Sequence, residues 1–304
     1  MSIALSLPSG VTAKITGLEV WMNEVLKRTD DLRPDWDPDD VHDVRVALRR
    51  CRTMADTLRD VNPGPGWHSL KKHSKKLFRA LGDLHDIQVE REWVRKLGSA
   101  KDSGGDLRKH MLRVLARREK KSRAAADRAL DAFDRKAWRK LTRKLPEEAR
   151  FFPMESVVFQ REALVKLNQA VELYQRARKN ASSLGWHRTR IGIKRFRYVV
   201  ENFLPQRYEP WSADLKRMQD LLGEVHDLDV LRADIKKEGR KLAPVEVAAW
   251  MEKIAPERKI RLDEFRAMTS AKESPWLVWR AGFQWGHSLI PAAERPRTES
   301  LYAS

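Results

Sequence analysis

The sequence holds a single cysteine, Cys51, among 304 residues, so no internal disulfide can form and no cysteine cluster exists to hold zinc. A disulfide-stapled secreted scaffold is thereby excluded, and a reducing, cytoplasmic setting is the expectation. No stretch approaches the roughly eighteen apolar residues that a membrane-crossing helix needs, so no membrane span is expected. Met1 to Leu7 is mildly apolar, but it lacks a preceding basic region and is shorter than a signal-peptide core; it reads as an untargeted tail. Acids are scarce relative to bases: 43 Asp and Glu stand against 61 Lys and Arg, a formal net charge of +18. That excess points to a polyanionic partner. Hydrophobic residues, at 41% with eleven Trp, suffice to bury a core and exclude a chain kept disordered by its charge.

Strand-like alternation with hairpin turns is missing as well, and helical spacing runs nearly throughout, so the expected fold is all-α. Val41, Val44, Leu48, Cys51, Ala55 and Leu58 step by three and four along one buried stripe. Asp37-Pro38-Asp39-Asp40 supplies a cap, a proline at the first helical position and acids at the positive helix end. Asn62-Pro63-Gly64-Pro65-Gly66 ends that helix. A second helix is expected from Trp67 to about Leu81, with Gly82 to Asp86 as a tight connection into another beginning near Ile87. Gly98 to Gly105 reads as a polar loop, and one long helix is expected from Asp106 to about Lys144. Pro146 and Pro153 then mark a boundary between an N-terminal bundle, residues 11–145, and a C-terminal bundle, residues 154–290. Beyond it, helices are expected to about Ala181, from Trp186 to Leu204, from Trp211, from Asp227, and between Pro244 and Pro275. Residues 291–304 lack periodicity and read as a disordered tail.

The two bundles share a pattern. Val41 to Arg52 and Trp186 to Arg197 match at one constant offset through His42/His187, Arg45/Arg190, Arg49/Lys194, Arg50/Arg195 and Arg52/Arg197. A second block, Leu81-Gly82-Asp83-Leu84-His85-Asp86, matches Leu222-Gly223-Glu224-Val225-His226-Asp227 at an offset shorter by four residues. Between the blocks, Lys75 and Lys76 align with Lys216 and Arg217. An internal duplication into two related four-helix bundles is therefore expected.

His42, Arg45, Arg49 and Arg52 line one edge of their helix beside the apolar stripe, and His187, Arg190, Lys194 and Arg197 repeat the arrangement. Lys71, Lys72, Lys75, Lys76 and Arg79 follow in a stretch without an acid. A solvated face would interleave both signs, whereas clustered guanidinium groups suit phosphate oxygens. His42 and His187 sit among cations, poor company for a metal, and suit a phosphate-contacting or structural role. His85-Asp86 and His226-Asp227 invite comparison with metal-dependent HD phosphohydrolases, but the further ligands of such a site cannot be assembled; a capping role for the two Asp is preferred. Without a phosphate-binding loop, HExxH helix, GxSxG elbow or catalytic triad, no enzyme, catalytic residue, metal or cofactor is expected. The tryptophans fall on apolar faces and read as core, which weakens a competing nucleic-acid-binding reading that would want stacking platforms.

The paired motifs, His-x-x-Arg-x-x-x-(Lys/Arg)-Arg-x-Arg followed by Leu-Gly-x-x-His-Asp-x-x-Val, resemble those of the CHAD domain family over about residues 11–289. The resemblance implies two four-helix bundles related by approximate twofold symmetry, and a basic surface or central pore that binds inorganic polyphosphate. It also implies association with polyphosphate granules and with polyphosphate-metabolising proteins. Carried onto matching positions, the binding residues are His42, Arg45, Arg49, Arg50 and Arg52 with His187, Arg190, Lys194, Arg195 and Arg197. Charge and position add Lys72, Lys75, Lys76, Arg79, Lys216 and Arg217. The chain departs from the family pattern in having His85 and His226 where Arg is frequent, and the second half has Ala213 and Asp220 where the first has Lys72 and Arg79.

Overall fold

A computed structural model describes residues 17–32, 36–98, 105–241 and 244–283. Ten α-helices follow one another among the described residues, with no strand: α1 (Leu18–Asp31), α2 (Pro38–Val61), α3 (Pro65–Leu97), α4 (Gly105–Asp131), α5 (Arg135–Ala149), α6 (Val157–Asn180), α7 (Ser183–Phe203), α8 (Pro205–Glu238), α9 (Pro244–Ser270) and α10 (Pro275–Ala281). None is long and apolar enough to cross a membrane. The α2 start is as expected: the Asp37 side chain accepts the Asp39 amide at 2.9 Å, Pro38 opens the first turn, and Asp39 and Asp40 face the positive end. Ser182 caps α7 by accepting the Gly185 amide at 3.0 Å. The proposed tail, residues 291–304, and Met1 to Leu7 lie outside the described residues.

Three expectations about helix boundaries are overturned. Gly82 to Asp86 is no connection: α3 runs unbroken through it, as α8 runs through Gly223 to Asp227. Asp86 and Asp227 therefore cap nothing. One interior glycine costs about 1 kcal/mol, which the continuous stripe Leu70, Ser74, Leu77, Leu81 and Leu84 readily outweighs. The single helix expected from Asp106 to Lys144 is two helices, because Phe133 turns into the core and Asp134 caps α5 by accepting the Ala137 amide at 2.8 Å. Pro146 lies inside α5 rather than ending it.

Burial follows two cores. The larger joins residues of both chain halves, from Leu18, Leu48 and Trp138 to Phe159, Phe196 and Trp279, and contains Cys51, whose thiol burial pushes up out of the reactive range. Trp36, Trp67, Trp186, Trp211 and Trp276 are buried in it, as their apolar positions imply. The smaller core gathers the far ends of the two long helices: Trp93 and Val94 of α3 and Leu228, Leu231 and Ile235 of α8, covered by Leu107, Met111 and Leu115 of α4 and Trp250 and Ile254 of α9. Polar ties also cross between the halves. Arg50 of α2 reaches Glu201 at 2.5 Å and Asn202 at 3.1 Å on α7, and Lys166 of α6 meets Asp60 of α2 at 3.3 Å.

Beside the smaller core, Arg118 of α4 pairs with Asp234 and, at 2.9 Å, with Glu238 of α8, while buried Glu90 of α3 stands 3.9 Å away. Burial first, then the Asp234 charge, push the Glu90 carboxyl up to about 7 against the partial relief from Arg118. A carboxyl raised in the folded state contributes stability that is complete below its ordinary value of 4.5 and lost as the pH climbs through about 7. Glu90→Gln is therefore expected to be more stable than the parent at pH 8.5, by roughly 3 kcal/mol, and indistinguishable from it near pH 4.5. Denaturant unfolding at the two pH values checks this; equal effects at both would refute it.

Candidate functional site

The repeated motifs meet where α2 and α3 face α7 and α8. Equivalent contacts recur on the two sides. The His42 and His85 rings lie 5.9 Å apart between centroids; His187 and His226 lie 4.5 Å apart, with their Nδ1 atoms separated by 3.2 Å. A Cβ placed on Gly82 would stand 2.8 Å from Nη1 of Arg45, and one on Gly223 would stand 3.9 Å from Nε of Arg190. Gly82 thus opens a notch in α3 over which Arg45 lies, a close approach that explains the glycine of the first motif better than a helix end does, whereas at Gly223 the arginine stands at ordinary contact distance. Arg52 covers the Phe78 ring at 4.9 Å, and its counterpart Arg197 bonds Gln219, the residue matching Phe78, at 3.1 Å.

These contacts sort the sequence-derived residues into groups. Arg45, Arg49, Arg190 and Lys194 converge, together with both histidine pairs and with Asp86 and Asp227. Lys194 feels the charges of Arg190, Arg49 and Arg45, and His85 feels Lys194 from across the junction. No carboxylate forms an ion pair with any of these four cations among the described residues, and the Nε atoms of Arg49 and Arg190 are buried without a hydrogen-bond partner. The α3 positions 72, 75, 79, 82 and 86 share one helix face, so exposed Lys72, Lys75 and Arg79 prolong the basic centre outward along α3. Lys76 is exposed on the neighbouring face.

Five of the named residues are engaged elsewhere. Arg50 ties α2 to α7 through Glu201 and also covers the Trp21 ring at 5.2 Å. Arg52 donates to the Lys71 carbonyl at 2.8 Å and to Ser74 at 2.9 Å, and Arg197 pairs with Glu201 at 3.3 Å and bonds Tyr208 at 3.3 Å. Exposed Lys216 and Arg217 are paired with Asp220 at 2.5 Å and Glu264 at 2.8 Å. Arg195 is exposed and lines a separate groove of about 350 Å³, where Asp56 and Asp60 balance Lys71 and Lys166. Sequence spacing alone could not separate these roles, because Arg49, Arg50 and Arg52 occupy about one helical turn yet face three different neighbours.

The electrostatics of the centre are those of crowded, recessed cations. Burial and then Arg190, Arg49 and Arg45 bring Lys194 down to about 7, with Asp227 pulling the other way. Burial and then the neighbouring guanidinium charge hold His85 and His226 each at about 4, and lower His42 and His187 as well. Asp227 is raised to about 6 by burial, despite Arg190, and Asp86 is raised for the same reason, despite Arg45. Asp86 remains exposed to solvent while protein crowds it, as befits a recessed rim. No group of three or more His, Cys, Asp or Glu arranged to hold a metal occurs among the described residues.

Among the described residues the chain is a helical protein with a basic centre where its repeated motifs meet. The CHAD domain model matches residues 18–235, and the chain belongs to that family. Its fold is similar to that of the CHAD domain from the plant Ricinus communis, with a TM-score of 0.55 and 19% identity over 88% of this chain and 89% of the other. It is similar also to PptA from Streptomyces chartreusis, with a TM-score of 0.60 and 15% identity over 90% and 97% of the two chains. No curated protein matches the sequence.

The notch geometry distinguishes the two glycines. Gly82→Ala is expected to displace Arg45 and to weaken polyanion binding roughly tenfold, the worth of one charge-assisted hydrogen bond. Its thermal stability should hold or rise, since alanine favours the helix and the displaced atom ends a flexible side chain. Gly223→Ala meets no such crowding and should bind as the parent does. Parallel melting curves and binding isotherms of the two variants check this; equal loss in both would contradict it.

Proposed function

We propose that this protein binds inorganic polyphosphate without transforming it, through the basic centre shared by its two halves. The observation that carries the reading is the convergence of Arg45, Arg49, Arg190 and Lys194 without an ion-pair partner among the described residues. Like charges brought together in a recess cost energy in the free protein, and a linear polyanion relieves that repulsion while supplying acceptors for the buried Nε atoms. Lys72, Lys75 and Arg79 continue the track for a ligand longer than the centre itself. General association of the CHAD family with polyphosphate supports the same reading.

The proposal includes an origin for the geometry: an internal duplication into two four-helix bundles, residues 11–145 and 154–290, related by an approximate twofold axis. The matched histidine pairs, glycines and arginine contacts support it. It also includes a cytoplasmic location on polyphosphate granules and contact there with polyphosphate-metabolising proteins. Nucleic acid is the less favoured ligand. Phe78 and Tyr198, the aromatic rings beside the centre, are each approached by an arginine, Arg52 at 4.9 Å and Arg49 at 5.9 Å, which competes with a base for the ring face it covers.

Calorimetry with long-chain polyphosphate tests this reading. Affinity is expected to fall steeply with salt, by a log–log slope of about 0.7 for each phosphate neutralised if polyphosphate behaves as a single-stranded nucleic acid does. Arg45→Ala/Arg190→Ala should lose roughly a hundredfold, the worth of two charged hydrogen bonds. Lys216→Ala/Arg217→Ala, which removes cations already paired with acids, should change little. Failure to bind, displacement by excess RNA, or equal loss in both double variants would refute the proposal.

A further inference from the structure

Around the basic centre lie two pairs of histidines that no ion pair explains. In the second half, Nδ1 of His187 and Nδ1 of His226 stand 3.2 Å apart, so one nitrogen must donate and the other accept. The accepting ring is then neutral, and the pair has room for one added proton on the donor ring without breaking the contact. The first half repeats the pair more loosely, with His42 and His85 rings 5.9 Å apart. Resting on the polyphosphate reading above, we propose that ligand binding at this centre is coupled to proton uptake by the two histidine pairs and Lys194, so that the protein holds polyphosphate more tightly as the pH falls.

Every element packed around these groups contributes to the sign of the effect. From α2, Arg45 and Arg49 face His42 and His85; at His42 the Arg49 charge is the largest, Asp43 opposes it more strongly than Arg45 adds to it, and Asp39 opposes least. From α7, Arg190 and Lys194 face His187 and His226, and Lys194 reaches His85 as well. From α3 and α8 come Asp86 and Asp227, which feel each other, and Asp229, which weakly favours a charged His226. In the free protein burial first, and then the neighbouring cations, suppress protonation: His85 and His226 rest at about 4 and Lys194 at about 7. An anionic chain laid along the centre reverses the local potential. Each histidine, Lys194 and the raised carboxyl of Asp227 then shift in the same direction, toward the protonated form, so the contributions add. The two halves are unequal, because only the His187–His226 pair shares a hydrogen bond.

Calorimetry of long-chain polyphosphate at pH 7, in two buffers of equal ionic strength and different ionisation heat, counts the protons directly. A long chain brings few protons of its own, because only its terminal phosphates titrate near pH 6. The heats are expected to differ in the sense of net uptake, and affinity is expected to weaken about tenfold per pH unit for each proton coupled. His85→Gln/His226→Gln should lower the proton count by about half or more, and an unchanged count would overturn the assignment to the histidine pairs. Tight binding with identical heats in both buffers and an affinity flat from pH 6 to pH 8 would overturn the coupling while leaving the functional reading intact. Absence of binding to the parent protein would overturn both. Should the double variant fail to fold, the buffer comparison on the parent still decides.

Discussion

Repulsion among cations held in a recess is the constraint on which the rest of this molecule turns. Arg45, Arg49, Arg190 and Lys194 are brought together by α2 and α7 with no acid to pair them among the described residues, an arrangement that opposes folding. It persists because apolar burial on both sides of it is large. The main core runs continuously through both chain halves beneath α2 and α7, and the second core clamps the far ends of α3 and α8. Each fully buried leucine or phenylalanine contributes roughly 1.5–3 kcal/mol, so several such side chains outweigh the electrostatic cost of the centre. Cations next to the centre that could add to the repulsion are turned away and paired: Arg50 with Glu201, Arg197 with Glu201, Lys216 with Asp220 and Arg217 with Glu264.

The long helices α3 and α8 convert this tension into a shaped site. Each crosses from one core to the other, and each has a glycine near its middle. Arg45 lies over the first glycine, with its Nη1 against the α3 backbone, and Arg190 lies at contact distance from the second. A side chain at position 82 would lift Arg45 by pressing on its terminal atoms. The carboxyls of Asp86 and Asp227, one turn further on, temper the field without neutralising it. Both are raised by burial, so on acidification they give up their charge at a higher pH than an ordinary aspartate does.

Much of this was legible in the sequence, and the reasons for success and failure are physical. The α2 start was readable because Asp37, Pro38 and two further acids act within one turn and need no tertiary partner. The central cations were readable because they occur twice at one offset. Gly82-Asp83 was misread as a helix end because local signals for a cap and for a notch are the same; the difference is Arg45, which arrives from another helix. The break at Phe133 was missed because the periodic pattern continues on either side, and only burial of that ring turns the chain. The different contacts of Arg50, Arg52 and Arg197 could not be read from the sequence, because adjacent positions on a helix are indistinguishable in charge. Their separation depends on Glu201, Ser74 and Gln219, which carry no motif of their own.

The central claim is spatial: a polyanion lies on the unpaired cations at the junction of the two halves. The most direct test is a crystal structure of the protein with a polyphosphate of defined length. The account predicts phosphoryl oxygens within hydrogen-bond distance of Arg45, Lys194 and the buried Nε atoms of Arg49 and Arg190, with the chain continuing along Arg79 and Lys75 of α3. Polyphosphate seated instead against Arg195 and Lys166, or bound only to the outer lysines with the four central cations untouched, would contradict it.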